Sequence, residues 1–253
     1  MNSKAVNIVW LKRDLRSQDH APLLKAECAG IPYLIIYLFE PSRIEYPDTS
    51  QRHLQFVYHS IGNLDKVLSD FNRRVELFYG EAIEVFNYLI KDFDIISIFS
   101  YQESGLQGSW ERDKKIKQFC KSNQINWEES QRDGVLRGIK NREDWNKKWH
   151  LKMHTPVIQN KYTISKETRL EHTFQIPSIL ESQLKEYPNH YQPPGEKNAW
   201  RYLKSFTNQR GFNYQRHISK PMESRMSCSR LSPYLAWGNM SIKQAFQFIG
   251  THP

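Results

Sequence analysis

The chain has 253 residues, of which 39% are hydrophobic, 13% aromatic and 25% charged, with a formal net charge of +9 and a pI near 9.3. This length suits one large domain or a domain and a half, and the composition excludes disordered and fibrous proteins. No apolar run reaches the ~18 residues of a membrane-spanning helix, and the first ten residues are too short for a signal peptide, so we expect no membrane association. The three cysteines fit neither a disulfide framework nor a zinc site, which favours a reducing, cytoplasmic location: Cys28, Cys120 and Cys228.

The first 130 residues alternate between strand and helix patterns. Short apolar runs, typical of strands buried on both faces of a parallel sheet, predict strands over residues 6–11, 33–39, 75–79 and 94–99, with a fifth over 126–128. Apolar residues at three- and four-residue steps predict helices over 51–71, 81–92 and 109–122, the last beginning at Ser109. The alternation predicts a doubly wound α/β domain with a mainly parallel five-stranded sheet.

Ligands in such a sheet bind beyond the carboxyl ends of the strands. The segments that follow three of the predicted strands are therefore expected to form the rim of a ligand site: 12–19, 40–46 and 101–108.

From residue 131 the pattern changes. Residues 134–149 are basic and place Trp145 and Trp149 one helical turn apart, a spacing for which packing is favoured over electron transfer. Residues 151–194 are polar and contain five prolines, which indicates a long connector and a domain boundary. A helix is predicted to follow Gly195, and no further strand pattern appears, so the second domain is expected to be helical.

The positive charge belongs to the second half. Residues 1–130 hold 16 basic and 18 acidic side chains, whereas residues 131–253 hold 20 and 9. This asymmetry is typical of two modules with different partners. Two interpretations stay open here, a solvated basic surface and a surface that neutralises nucleic-acid phosphates.

The most informative stretch is 227–241, SCSRLSPYLAWGNMS. The hydroxyls of Ser229 and Ser232 flank Arg230, and Pro233 is a favoured first-turn residue of a helix. This donor set suits a pyrophosphate. The alternative is plain helix capping by Ser232, and the residues alone favour capping.

Four separated segments together resemble the photolyase/cryptochrome flavoproteins, and they occur in the order of that family. Residues 10–16, WLKRDLR, with Asp19 resemble the opening motif of the family's antenna domain. Residues 110–113, WERD, resemble the start of the last long helix of that domain.

The other two segments resemble the flavin domain of the same family. Residues 195–199, GEKNA, followed by Leu203, resemble the helix that opens that domain. Residues 229–235, SRLSPYL, with Gly238 and Ser241 resemble its flavin-phosphate segment, which is the most specific of the four motifs.

The resemblance implies an antenna-type α/β domain over 1–130, a connector over 131–194 and the beginning of a helical FAD-binding domain over 195–253. It implies FAD as a cofactor and leaves a second, antenna chromophore of unknown identity. Carried over residue by residue, the resemblance implies that the FAD phosphates contact Tyr214, Cys228, Ser229, Arg230, Leu231 and Ser232.

Three positions depart from the family pattern. Cys228 stands where Thr is common, so a weak thiol donor replaces a hydroxyl. Residues 108–110 read Gly-Ser-Trp where folate-binding members place Asn-Glu, so a folate antenna is not implied. Residues 134–149 do not match the connector of the best-known repair members, which indicates a divergent branch.

In the family, the rest of the flavin site, the lesion pocket and the tryptophan electron-transfer chain follow at positions beyond Pro253. We therefore expect this chain to be the first part of a longer protein, and no catalytic or metal-binding residue is assigned.

Two functions share all four motifs. A DNA photolyase, expected as a monomer that binds damaged DNA through the basic half, splits pyrimidine dimers by light-driven electron transfer from reduced FAD. A cryptochrome is a blue-light receptor without repair. The basic second half favours repair, and a third interpretation is a free-standing α/β nucleotide-binding domain with a helical tail.

Overall fold

The computed structural model describes residues 4–166 and 170–251; residues 1–3, 252–253 and residues 167–169 of the predicted connector lie outside the described residues. Five strands form one sheet in the order β3-β2-β1-β4-β5, and every neighbouring pair is parallel. The strands are β1 Lys4–Leu11, β2 Tyr33–Phe39, β3 Val75–Tyr79, β4 Phe93–Tyr101 and β5 Asn126–Ser130. The predicted α/β fold is confirmed, and the sheet is wholly parallel rather than mainly so.

Helices cover both faces of the sheet, as the right-handed crossovers of a doubly wound fold require. They are α1 Ala21–Cys28, α2 Pro41–Ile44, α3 Gln51–Leu68, α4 Ala82–Asp92 and α5 Gln107–Ser122. On β1, Ile8 and Trp10 pack into the core shared with α4 and α5, whereas Val9 and Leu11 pack into the core shared with α1 and α3. Alternate residues of the central strand are thus buried on opposite faces, which explains its continuous apolar run.

The start of α5 differs from the prediction. The helix begins at Gln107 after Leu106, not at Ser109. Ser109 is buried, and its hydroxyl accepts a 3.1 Å hydrogen bond from Arg43 instead of capping the helix. The Ser109 hydroxyl therefore contacts Arg43, which is distant in sequence, and does not cap the helix.

Within the described residues no strand follows Ser130, and the second half is helical, as predicted. Its helices are α6 Trp145–Met153, α7 Ser178–Lys185, α8 Glu196–Asn208, α9 Tyr214–His217, α10 Pro221–Ser227, α11 Ser232–Ala236 and α12 Ile242–Gly250. Ala199, Leu203, Leu231 and Tyr234 form its core, which also takes in Phe56 of α3. None of the helices in the described ranges is both long and apolar enough to cross a bilayer.

The predicted connector lies along the α/β domain rather than away from it. The Ser165 amide donates to the Phe71 carbonyl, and the Tyr79 amide at the end of β3 donates to the Phe174 carbonyl at 2.9 Å. Helix α7 packs on α3, with Leu184 fully buried. Hydrogen bonds from irregular backbone to the α/β domain explain how a proline-rich stretch is held in a defined path.

Candidate functional site

A cavity of about 960 Å³ lies at the carboxyl edge of the sheet. Its volume is in the range of sites for small molecules and cofactors. The α/β domain forms one side, and the second half closes the other with Tyr187, Gln192, Ser232, Pro233 and Trp237. The predicted position of a ligand site, beyond the strand ends, therefore coincides with an actual cavity.

The three predicted rim segments contribute unequally to this cavity. Segment 40–46 contributes most of its residues, and segment 101–108 contributes Glu103, Leu106 and Gly108. Of segment 12–19, only Lys12 and Arg13 line the cavity. Residues 15–17 form hydrogen bonds to the second half of the chain instead.

A network of buried ion pairs forms the polar wall of the cavity. The Arg112 guanidinium lies 2.9 Å from Glu40, 2.7 Å from Glu103 and 2.8 Å from Asp113. Lys12, 3.4 Å from Asp113, lies 4.3 Å from the centre of the Trp10 ring. The WERD motif therefore supplies the hub of this network through Arg112 and Asp113.

The network fixes the charge state of its members. Burial alone would raise the pKa of Glu103, but the positive charges of Arg112, Arg43 and Lys12 outweigh it and hold that pKa at about 2. Burial lowers the pKa of Lys12, and the neighbouring Arg112 lowers it further. The carboxylates and cations of this wall thus satisfy one another.

Aromatic rings also line the cavity. The Arg13 guanidinium lies 4.9 Å from the centre of the Trp237 ring, and Tyr37 and Phe39 line the same space. Aromatic rings together with charge-balanced ion pairs suit a flat, conjugated ligand that binds mainly through its ring faces.

Residues 14–19 of the opening motif hold the second half against the α/β domain. The Leu15 amide donates to the Trp237 carbonyl at 3.1 Å, and Arg16 donates to the Gly238 carbonyl at 3.2 Å. Ser17 donates to Glu196, the second residue of the GEKNA motif, at 2.8 Å. Three of the four motifs therefore meet in one set of contacts.

Asp14 and His20 form a fully buried pair behind these contacts. The His20 Nε2 atom lies 2.9 Å from an Asp14 carboxylate oxygen, while Nδ1 accepts from the Leu23 amide and caps α1. Burial lowers the pKa of His20. Although burial opposes it, the close approach of His20 and the hydrogen bond from the Lys12 amide lower the pKa of Asp14. The pair is thus a neutral imidazole beside a carboxylate.

The predicted phosphate segment is held by its backbone. Arg230 adopts a left-handed conformation with φ of +59°, and its carbonyl accepts a 2.8 Å hydrogen bond from Gln192. Ser232 is the first residue of α11, and that helix has no side-chain cap. The capping role that the residues alone favoured for Ser232 is therefore absent, which leaves its exposed hydroxyl available to a ligand.

The remaining predicted residues flank this segment. Leu231 is buried in the core of the second half, and Cys228 is half-buried. Tyr214 lies on α9, with its ring packed edge-on against Phe206. Residues 228–232 form one short segment, and Tyr214 belongs to a separate helix, where its described ring contact is with Phe206.

Arg210 is the residue of this region that the sequence analysis missed. Its guanidinium donates to the backbone carbonyls of Tyr202, Cys228 and Ser229, and so joins α8 to the predicted phosphate segment. A bond to a backbone carbonyl requires no particular side chain on the partner, so no motif signals it. Among the described residues, no His, Cys, Asp and Glu side chains form a group that could hold a metal ion.

Comparison with known proteins places these features in one family. The sequence model of a family described as DNA photolyase matches residues 7–162. The deoxyribodipyrimidine photo-lyase of Vibrio cholerae is 22% identical over 264 residues, which cover 94% of this chain and 54% of that protein. Cryptochrome-1 of Drosophila melanogaster is 24% identical over 136 residues, covering 51% of this chain and 25% of that protein.

The solved structures show the same fold. The archaeal photolyase from Sulfolobus tokodaii, crystallised with two FAD molecules and described as implicating a novel light-harvesting cofactor, superimposes with a TM-score of 0.74 at 21% identity. The match covers 97% of this chain and 55% of that protein. The chain thus spans about half the length of the curated photo-lyases and the solved photolyase that it matches.

Proposed function

This chain belongs to the DNA photolyase family, and from that premise we propose that it serves in light-driven repair of pyrimidine dimers in DNA, with reduced FAD as the cofactor. The observation that carries the proposal is the shared wall between two sites. Ser232 and Trp237 of the proposed flavin segment form one side of the 960 Å³ cavity at the sheet edge. A light-absorbing ligand in the cavity would therefore lie beside the phosphate end of the flavin.

The domain organisation follows from the same premise. We propose residues 1–130 as the antenna-type domain, 131–194 as the connector and 195–253 as the beginning of the FAD-binding domain. Two observations support this division: among the described residues the last strand ends at Ser130, and Ala199, Leu203 and Tyr234 belong to a core of the second half.

The chemistry of the donor set fits the phosphates of FAD. Two hydroxyls, a thiol and a guanidinium are half-buried or exposed in one short segment, and charge-assisted bonds of this kind suit a pyrophosphate. The residues proposed to bind it are Tyr214, Cys228, Ser229, Arg230, Leu231 and Ser232. The light-driven electron transfer to the lesion is chemistry that reduced FAD supplies when bound. This chain's part is to hold the phosphates at a fixed distance from the cavity.

The cavity itself is proposed to hold a second chromophore. Its aromatic lining and its mutually neutralising ion pairs suit a flat, conjugated ring system. The two FAD molecules of the archaeal relative make a flavin the first compound to test.

DNA is the proposed partner of the second half. Residues 131–253 carry a net charge of +11, and exposed cations such as Lys147 and Lys148 on α6 add to it. Clustered Lys and Arg side chains attract the phosphate backbone, and the pyrimidine pair would then be turned out of the stack for repair.

The experiment is a repair assay on the FAD-loaded, reduced protein. Illumination with blue light in the presence of UV-irradiated DNA should restore intact pyrimidines, and the same sample in the dark should not. Dimers that persist under illumination, with flavin demonstrably bound and reduced, would overturn the proposed repair function.

The match to Drosophila cryptochrome-1 makes a blue-light receptor the second candidate. A receptor would leave dimers intact but change its conformation under light. Limited proteolysis of the flavin-loaded protein in light and in darkness separates the two functions, since a light-dependent cleavage pattern without repair favours the receptor.

A further inference from the structure

A second, smaller cavity lies on the far side of Gln192 from the first. It has a volume of about 450 Å³ and is formed by the loop of residues 187–194, by Arg201 and Tyr202 of α8, and by Arg230. Tyr187 and Gln192 line both cavities, so the two sites are neighbours separated by these side chains.

The walls of this cavity combine cations with aromatic rings. The guanidinium of Arg201 lies 5.6 Å and that of Arg230 5.8 Å from the centre of the Tyr202 ring. Tyr187 and Tyr191 also line the cavity, and the guanidinium of Arg52 lies 5.0 Å from the centre of the Tyr191 ring. Such an arrangement presents stacking surfaces and positive charge to the same space.

These cations lack acidic partners. In the ranges 4–166 and 170–251, no Asp or Glu oxygen lies within 4.0 Å of the guanidinium of Arg52, Arg201 or Arg230. A third guanidinium beside the Tyr202 ring, that of Arg210, is already engaged by backbone carbonyls. Burial lowers the pKa of Arg210, and the like charge of Arg230 adds to this effect. The region is therefore a concentration of positive charge that the described carboxylates do not neutralise.

We propose that this cavity binds a nucleotide, with Arg201 and Arg230 holding its phosphate and the tyrosine rings stacking on its base. Guanidinium groups recognise phosphate through paired N–H donors, and Tyr faces accept any base. A volume of about 450 Å³ exceeds what a phosphate ion fills and lies in the range of small-molecule sites. Arg230, one of the two cations, also adopts an uncommon left-handed backbone with φ of +59°, a conformation that is enriched at binding sites.

The inferred ligand is a free nucleotide, as distinct from the nucleotide half of the proposed FAD. Arg230 also belongs to the proposed flavin segment, whereas Arg201 does not. Variants of Arg201 therefore test this cavity without removing a residue of the proposed flavin site.

The test is a calorimetric titration of the 253-residue chain with AMP, adenosine and inorganic phosphate at low ionic strength. AMP should bind more tightly than either fragment. Arg201→Gln should weaken AMP by about tenfold or more, as expected for loss of a charge-assisted hydrogen bond. Arg201→Lys should fall between the two, and Lys204→Gln, which removes an exposed charge from the same helix outside the cavity, should bind as the unmodified chain does.

Equal AMP affinity in Arg201→Gln and the unmodified chain would overturn the proposal, as would AMP binding no tighter than phosphate. Circular dichroism verifies that each variant is folded. Repeating the titration on FAD-loaded protein separates the cavity from the flavin site: undiminished AMP binding supports a separate nucleotide site, and loss of AMP binding together with weaker FAD uptake by Arg201→Gln would overturn it.

The outcomes also separate this inference from the proposed function. Repair activity without AMP binding would overturn only the nucleotide site. Arg201-dependent AMP binding in a protein that takes up no flavin would overturn only the proposed function.

Discussion

The Ser241 hydroxyl donates a 2.6 Å hydrogen bond to the carboxylate of Asp19, a residue 222 positions earlier in the chain. The Lys243 ammonium lies 2.8 Å from the other carboxylate oxygen, which also accepts from the Ile158 amide. One side chain at the end of the opening motif thus joins the α/β domain, the connector and α12. Asp19, the last acidic residue of the motif, therefore holds three parts of the chain together.

Replacing Asp19 with Asn should destabilise the protein. The left-handed φ of +53° at this position tolerates Asn, so the change removes the charge without straining the backbone. Because Lys243 would be left buried and unpaired, we expect the free energy of unfolding to fall by about 3 kcal/mol in urea denaturation.

The double variant Asp19→Asn, Lys243→Met provides the control for that measurement. It should recover part of the lost stability, since no uncompensated ammonium remains. A double variant as unstable as the sum of the two single variants would contradict an ion pair between these residues.

Gly238 is a second point at which the second half contacts the opening motif. We expect Gly238→Ala to be poorly tolerated. Its φ is +72°, and a Cβ atom here would lie 2.2 Å from the Arg13 carbonyl oxygen. The second half would have to move away from the end of β1, so a clear drop in melting temperature is expected. Gly62→Ala in α3 is the matched control, because its Cβ meets nothing within 4 Å and Ala favours a helix by about 0.5–1 kcal/mol. Equal melting temperatures for the two variants would contradict the tight approach at Gly238.

Much of the fold was predictable because its signals are local. The run at 33–39 is buried or half-buried on both faces, as are residues 97–99 of the run at 94–99, so their apolar character alone identified strands of a parallel sheet. Helix α1 was missed because its eight residues include Pro22, and its cap is the imidazole of His20 rather than a Ser, Thr, Asp or Asn side chain.

The site was less predictable, because its geometry depends on contacts across the whole chain. The rim was predicted from the strand ends, but whether Asp19 faced a ligand or Ser241 could not be inferred from either motif alone. Arg210 donates to backbone carbonyls, which every residue type has, so the sequence does not reveal these partners. Local periodicity identifies elements, and only their packing decides which polar groups meet.

The buried Glu103 should make stability depend on pH in the acid range. Its pKa in the folded protein is about 2, below the ordinary value of 4.5, so the folded state favours the ionised form. The stabilisation is complete above about pH 5 and is lost as the pH falls through 4.5 towards 2, by about 3 kcal/mol in total. Urea denaturation between pH 5 and pH 2 should therefore show a smaller loss of stability for Glu103→Gln than for the unmodified protein. Glu111→Gln, an exposed position on α5, should keep the original slope, and a slope in Glu103→Gln that matches it would contradict the assignment.

Arg210 offers the sharpest test of how the proposed flavin segment is held. Its planar guanidinium donates at 3.0 Å to the Ser205 hydroxyl, at 3.0 Å to the Tyr202 carbonyl and at 3.2 Å to the Ser229 carbonyl. A lysine ammonium keeps the charge but cannot reproduce this fork, because its three donors spread from a single nitrogen. We expect Arg210→Lys to lower the free energy of unfolding by about 2 kcal/mol.

The same variant should weaken flavin uptake more than its stability loss explains, because residues 228–230 would no longer be fixed against α8. Flavin absorbance after reconstitution at 10–15 °C below the melting temperature of each variant, a margin that keeps the protein folded, separates this effect from unfolding. Arg216→Lys, on the exposed surface of α9, is the matched control and should take up flavin as the unmodified protein does. If Arg210→Lys takes up flavin equally well, the backbone carbonyls that it holds have no part in positioning the segment, and the hydroxyls of Ser229 and Ser232 would have to bind phosphate without that support.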